Sequence, residues 1–248
     1  MSESRIAVLI DADNAPAASI DAILRQVATE GNAHVRRAYG NWKSPHLQSW
    51  EAVLHEYAIA PIQQFAYTKG KNASDMAMVI DAMDLLWGGE ADGFAIVSSD
   101  SDFTPLAMRL RQSGKTVLGF GQKKTPEPFV NACSRFFQIE QLASTVSDDE
   151  DETEGTETTR PTKRVPGAKL RQDAKLVSML RAAVDSASDD DGWATLNAVS
   201  NQIRNQSSFE PQNYGYAKLV ALIEEIGLFE VDRSGGRPRL RRKTTPKK

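Results

Sequence analysis

The stretch Ile96-Val97-Ser98-Ser99-Asp100-Ser101-Asp102-Phe103 decides how the rest of the chain is read. It closes an apolar run, Phe94 to Val97, long enough for a buried strand, and Thr104-Pro105 then opens a helical pattern bearing Leu106 and Leu110. The strand therefore ends at two aspartates. In an open α/β sheet ligands bind in the crevice beyond the carboxyl ends of the strands, which puts Asp100 and Asp102 where chemistry is done. Two such close carboxylates, with no basic neighbour in sequence, repel unless a proton or a cation intervenes. Oxygen-only ligands without a nearby His or Cys favour magnesium or manganese over zinc. The same pair can also do no more than cap the next helix, a common task for Asp.

Working outward, Arg5 to Ile10 is a first strand of the continuously apolar kind expected when both faces are covered, and it stops at Asp11-Ala12-Asp13-Asn14. Helical spacing of Ile20, Ile23, Leu24 and Val27 predicts a helix over 17–29, and a second strand follows at Ala33 to Ala38. Ser44-Pro45 supplies a cap and a first-turn proline for a helix over 46–56, and a short strand is expected from Ile62 to Phe65. Ser74 then reads as the N-cap of a helix whose apolar face is Met76, Val79, Ile80, Met83, Leu86 and Trp87. Asp75 falls in its first turn, where the helix dipole favours an anion. Beyond the central strand, Thr116 to Phe120 is another strand, Lys123-Lys124-Thr125-Pro126 a basic turn, and Phe129 to Phe137 a short helix leading to an edge strand.

Strands alternating with helices predict an α/β fold, a doubly wound parallel sheet with right-handed crossovers. In such a sheet the first and fourth strands flank the topological switch, so Asp11 and Asp100 converge there, and the helix begun by Asp75 starts near the same rim. That convergence suits metal-assisted phosphodiester hydrolysis, in which the metal neutralises phosphate charge and readies a water for in-line attack. Asn14 is placed to hydrogen-bond a ligand carboxylate, and Ser98, Ser99 and Thr104 are candidate supporting groups around the acids. Asp13 has three readings: a ligand, a partner of a metal-bound water, or a shaper of the turn. Lys69, Lys71, Lys123, Lys124, Arg36 and Arg37 are candidates for holding a nucleic-acid backbone, although any one of them alone also suits solvated surface.

The net charge of −3 conceals a division along the chain. Residues 1–147 carry 13 Lys and Arg against 16 Asp and Glu, residues 148–159 none against 7, and residues 160–248 carry 17 against 10. A basic segment behind an acidic stretch suggests a module that binds a polyanion. The acidic stretch is nearly free of apolar residues, so 147–169, with Pro161 and Pro166, is expected to be a disordered linker. From Leu170 the helical pattern returns in Leu176, Val177, Leu180 and Val184, then in Trp193, Leu196, Val199 and Ile203, then in Tyr216, Leu219, Val220, Ile223 and Ile226. Phe229 to Arg233 and Arg237 to Arg241, joined through Ser234-Gly235-Gly236, read as a hairpin. Three helices and a hairpin make a winged helix over 170–243, with a basic tail at 244–248, and Arg237, Arg239 and Arg241 are its candidate RNA contacts.

The single Cys133 excludes a disulfide framework and a zinc finger, and its apolar setting makes it a small core residue. No run has transmembrane length and no signal-peptide pattern opens the sequence, so a cytoplasmic protein with no membrane partner is expected. No P-loop or GxGxxG fingerprint is present. Asp11-Ala12-Asp13 after a strand also suits the nucleophile motif of haloacid dehalogenases, but the Gly-Thr that completes that motif is missing. A toprim reading lacks its glutamate motif.

Four segments taken in order, Leu9-Ile10-Asp11-Ala12-Asp13-Asn14, Lys71-Asn72-Ala73-Ser74-Asp75, Ile80-Asp81-Ala82-Met83-Asp84-Leu85-Leu86 and Ser98-Ser99-Asp100-Ser101-Asp102-Phe103, resemble the NYN domain, a PIN-like ribonuclease fold. The resemblance covers about residues 5–142, in an N-terminal domain drawn at 1–146. It implies a metal-dependent ribonuclease using Mg²⁺ or Mn²⁺ held by Asp11, Asp75, Asp100 and Asp102, with Asn14 beside them; an endonuclease is the leading reading, and the sequence does not decide between endo- and exonucleolytic action. The stretches Gly192-Trp193-Ala194-Thr195-Leu196, Tyr214-Gly215-Tyr216-Ala217-Lys218-Leu219 and Glu224-Glu225-Ile226-Gly227-Leu228-Phe229-Glu230-Val231 are similar to the LOTUS (OST-HTH) domain. That resemblance implies RNA binding and, in some members, protein partners. The alternative to a nuclease is an RNA-binding adaptor whose acidic site does no chemistry. Oligomeric state is not legible in the sequence.

Overall fold

Three continuously apolar runs form the middle of a parallel sheet, because a strand covered on both faces has no polar side to show. They are β1 (Arg5–Asp11), β4 (Gly93–Val97) and β5 (Thr116–Gly121). With β2 (Asn32–Gly40), β3 (Ala60–Gln63) and β6 (Arg135–Gln138) they make a six-stranded sheet in the order β3-β2-β1-β4-β5-β6. The computed structural model of the chain describes residues 3–64, 73–142, 164–189, 191–233 and 238–243, which fall in two compact units, Met1–Asp149 and Glu150–Lys248.

In the first unit the strand period of two sends Ile6, Val8 and Ile10 to one face of β1 and Ala7 and Leu9 to the other. Helices α1 (Ile20–Ala28), α2 (Trp50–Glu56) and α6 (Ile139–Leu142) cover the first face, through Ile23, Val27, Trp50 and Leu142 among others. Helices α3 (Ala73–Trp87), α4 (Thr104–Gln112) and α5 (Glu127–Ala132) cover the second, through Met78, Leu85, Leu110 and Phe129. This is the α/β, PIN-like, doubly wound parallel sheet expected. The chain runs out from β1 to β2 and β3, then returns to lay β4 on the other side of β1, with Ile10 opposite Val97. The switch point therefore lies between the ends of β1 and β4.

Several local expectations are corrected. The expected face of α3 is its core face only in part: Leu86 is buried and Val79 and Met83 pack against the core, but Met76, Ile80 and Trp87 are more than half exposed, and Met78, Ala82 and Leu85 are buried instead. Ser74 lies inside α3 rather than capping it, and Ser44 makes no side-chain cap. The stretch expected as one helix over 46–56 is a 3₁₀ turn, Pro45–Leu47, followed by α2. β3 begins at Ala60, and Pro61 is tolerated there because the strand is at the sheet edge. The segment 129–137 is divided, α5 ending at Ala132 and β6 starting at Arg135.

In the second unit, α7 (Gly167–Gln172), α8 (Ala174–Ala187), α9 (Leu196–Gln206) and α10 (Leu219–Ile226) surround Leu180, Val199, Ile203 and Leu222. An antiparallel sheet joins β7 (Ala194–Thr195), β9 (Arg239–Arg242) and β8 (Phe229–Asp232) in that order. The strands of the expected hairpin pair antiparallel, with β7 added along β9, and the connection at 234–237 lies outside the described residues. Asp173 caps α8 by accepting from the Leu176 N–H, and Thr195 caps α9 by accepting from that of Ala198. Trp193 and Tyr216, expected within helices, lie before them. Helix α7 begins inside the stretch assigned to the linker: a Cβ on Gly167 would lie 2.2 Å from the Glu225 carbonyl oxygen, so α7 meets α10 where only glycine fits. The rest of that linker, residues 147–163, and the basic tail 244–248 lie outside the described residues. Among the described residues no helix is long and apolar enough to cross a membrane.

Gly119 tests the packing of the sheet on α5. A Cβ there would lie 2.5 Å from Cys133 Sγ and 2.6 Å from Phe136 Cδ2, both buried. Gly119→Ala is expected to cost about 1–3 kcal/mol of stability, measured as a lowered urea midpoint with an unchanged slope.

Candidate active site

Asp11 is the last residue of β1, and its side chain is buried at 1% exposure between the ends of β1 and β4. A carboxylate so placed needs donors. Its Oδ2 accepts from Asn14 Nδ2 at 2.8 Å and from Ser98 Oγ at 2.7 Å, and its Oδ1 from the Asn14 backbone N–H at 3.3 Å. Burial nevertheless pushes the carboxyl above its usual range, against the lowering by the Asn14 and Ser98 hydrogen bonds. The Ser98 hydroxyl also accepts the Asp100 N–H at 3.1 Å, so one buried group ties the carboxyl ends of two adjacent strands together.

Asp100 is the N-cap of the 3₁₀ turn Ser101–Phe103, its Oδ1 accepting the Asp102 N–H at 2.9 Å. Capping is thus one of its jobs, and Asp102 is exposed in the first turn beyond it. Asp75 comes to the same rim from the start of α3. Its carboxyl is pushed up to about 6, first by burial and then by the charges of Asp11, Asp100, Asp13 and Asp102. Five acids from three parts of the chain therefore share one field. Asp13 is exposed and accepts from Ser74 Oγ at 3.2 Å, which joins the loop after β1 to the first turn of α3. All the donors are carboxylate oxygens, the set a hard divalent cation takes. Among the described residues, however, no three of them close into a ready ligand set. Like charges repel, and Asp11, Asp13 and Asp100 are each turned onto a hydrogen-bond donor.

The supporting groups divide. Ser99 Oγ accepts the Gln122 N–H at 2.8 Å and so braces the end of β5, while Thr104 Oγ1 donates to the Ser101 carbonyl at 2.6 Å and serves the helix start. Lys123 and Lys124 are exposed in the turn after β5, at the carboxyl-end rim. Arg36 and Arg37 each have partners within the first unit. Arg36 donates to the carbonyls of Ala33 and Tyr57, and Arg37 pairs with Asp81, which also takes the Tyr39 hydroxyl. Lys69, Lys71 and Arg237 lie outside the described residues. In the second unit Arg239 pairs with Asp232 and Arg241 with Glu230, and both guanidinium groups lie over the Trp193 ring. Sequence reading named Ser74 as a helix cap and missed its bond to Asp13, and it missed the approach of Gly40 to the acid loop.

Comparison with known proteins finds an NYN domain at residues 5–140 and an OST-HTH/LOTUS domain at residues 171–240. Among solved structures, a protein of unknown function from Vibrio parahaemolyticus is similar at 18% identity and a TM-score of 0.47, over 55% of this chain and 93% of that one. An uncharacterized protein from Nitrosomonas europaea is similar at 24% identity and a TM-score of 0.26, over 41% of this chain and 92% of its own. No curated protein matches the chain.

A carboxyl with raised affinity for its proton makes the folded state bind more protons than the unfolded one between the two titration ranges, so stability falls as pH rises through that window. For Asp75, with all divalent cations chelated, the window runs from 3.8 to about 6. Carboxyl-carbon NMR is expected to find an Asp75 midpoint near 6, and Asp11→Asn or Asp100→Asn should lower it. A midpoint that ignores both substitutions would remove Asp75 from the cluster.

Proposed function

Because the chain belongs to the NYN domain family, we propose that its first unit is a metal-dependent ribonuclease hydrolysing RNA phosphodiester bonds, and that the second holds the RNA. The observation that supports it most is geometric: Ser98 joins Asp11 to the Asp100 backbone and Ser74 joins Asp13 to the start of α3, which gathers acids from the end of β1, the start of α3 and the end of β4 at the switch point of the sheet.

In this reading Asp11, Asp75, Asp100 and Asp102 would hold Mg²⁺ or Mn²⁺, and the bound ion would supply charge neutralisation at the phosphate and a lowered pKa for water. Asn14 and Ser98 fix the Asp11 carboxylate from two sides, so that its orientation is set before substrate arrives. Asp13, joined to Ser74, holds the loop after β1 against α3. Water attacks phosphorus, the bond to the 3′ oxygen breaks, and the products carry a 5′-phosphate and a 3′-hydroxyl. Lys123 and Lys124 face the strand backbone, and the second unit contributes RNA contacts through Arg239 and Arg241 beside Trp193.

The rival is an RNA-binding adaptor, favoured by the absence of a ready three-carboxylate set among the described residues. One experiment separates them. The full chain, incubated with end-labelled RNA and Mn²⁺ or Mg²⁺, is expected to cut, and EDTA to stop it. Asp100→Asn and Asp11→Asn should each lower cleavage by more than about 100-fold with an unchanged circular dichroism spectrum. Cleavage at the parent rate by either variant would end the nuclease reading, and binding without metal-dependent cutting would establish the adaptor.

A further inference from the structure

The chain leaves β2 at Gly40 and enters Asn41-Trp42-Lys43, which begins beside the acidic rim. A Cβ built on Gly40 would lie 2.7 Å from Leu47 Cδ1, 3.5 Å from Ala12 Cβ and 3.6 Å from Asp13 Oδ1. Gly40 thus lies between the acid loop after β1 and Leu47, which lines a cleft of about 490 Å³. Trp42, Ser44, Pro45, Leu47, Gln48 and Leu54 line that cleft.

Trp42 is held rigidly. Its indole Nε1 donates to the Ile62 carbonyl at 3.1 Å, and its backbone N–H donates to Gln63 Oε1 at 3.0 Å. Gln63 is fixed in turn, its Nε2 donating to Asn41 Oδ1 and to the Gln64 carbonyl, each at 3.0 Å. Trp42 is partly buried against the core that α2 covers, and it also lines the cleft. Such a ring costs little entropy to use, because nothing about it must be ordered on binding.

We propose that this cleft is a nucleobase subsite: one unstacked base of single-stranded RNA lies against Trp42 while its adjoining phosphodiester reaches the acids across Gly40. The proposal rests on the nuclease reading for the position of the phosphate. Four features select the occupant. The cleft lies in the ~300–1,000 Å³ range that holds a small ligand. Its apolar walls suit the faces of a flat ring, and Ser44 and Gln48 offer donors and acceptors to a base edge. A base stacks on an aromatic ring whatever its identity. In a duplex the bases stack on one another, which restricts the substrate to unpaired RNA.

The test is run on the full chain in EDTA, so that it does not depend on cleavage. A short labelled single-stranded RNA carries 5-iodouridine at successive positions and is photo-crosslinked. A crosslink from one RNA position to Trp42, in the tryptic peptide of residues 38–43, is expected. Trp42→Phe should keep it and Trp42→Ala should lose it. Because Trp42 also touches the core, a second measurement removes folding from the question: Trp42→Ala should weaken binding of intact RNA by about 5- to 100-fold. The loss should vanish on RNA with an abasic ribose at the crosslinked position. An equal loss on intact and abasic RNA, or no crosslink to Trp42 from any position, would overturn the subsite. Crosslinking without metal-dependent cutting would sink the nuclease reading and keep the subsite; cutting without crosslinking would do the reverse.

Discussion

One buried carboxylate organises the first unit. Asp11 ends the central strand where water cannot reach it, and removing an ionised carboxylate from water costs several kcal/mol unless donors replace the hydration. Two side chains supply them, Asn14 from the turn after β1 and Ser98 from the end of β4. The turn itself closes by the Ala15 N–H donating to the Asp11 carbonyl at 2.9 Å, and Ser98 is in reach because β4 lies directly beside β1. The topology of the sheet and the orientation of Asp11 are therefore one constraint. A sheet without the β1–β4 neighbourhood would leave Asp11 without the Ser98 hydroxyl, one of its three donors, and Asp11 and Asp100 without a shared partner.

The same sorting of charge explains which acids stay out of the cluster. Asp75 and Asp81 both lie on α3, about 9 Å apart along its axis. Asp75, in the first turn, faces the other rim acids. Asp81 lies deeper along the sheet, where Arg37 and the Tyr39 hydroxyl meet it. Burial and the Asp81 carboxylate hold the Tyr39 phenol protonated, well above its ordinary range, so it acts as a donor. That pairing uses Arg37 internally, and the Tyr57 and Ala33 carbonyls use Arg36 in the same way.

What the sequence made legible follows from what each signal depends on. Strands covered on both faces announce themselves as unbroken apolar runs, so β1, β4 and β5 and the acids at the ends of β1 and β4 were readable from residues 6–10, 94–97 and 117–120. The core face of α3 was not, because the helix is apolar on more than one side. Met78, Ala82 and Leu85 share a helical spacing as good as that of Met76, Ile80 and Met83, and only contact with the sheet chooses between them. Side-chain pairings across 21 and 44 residues, Arg36 with Tyr57 and Arg37 with Asp81, leave no local pattern. For that reason the two arginines adjacent in sequence gave no sign that each is also tied within the fold. Ser74 was misread for a smaller reason: hydroxyls favour helix starts, and this one lies a residue inside the helix, facing Asp13.

These assignments change where attraction for a polyanion must come from. Five acids at one rim repel a phosphate backbone, and residues 1–147 carry more acidic than basic groups even before Arg36 and Arg37 are set aside. Long-range attraction therefore falls to residues 160–248, with 17 cations against 10 acids. At close range the first unit has to gain affinity from contacts that phosphate charge does not oppose. Stacking of a base on a fixed indole is such a contact, because it acts on the uncharged part of the nucleotide and is only weakly affected by the neighbouring carboxylates. A rim of acids flanked by a rigid aromatic shelf is in this sense a consistent design: the carboxylates that would hold a cation make the site poor at retaining RNA by charge, and Trp42 offers retention by other means.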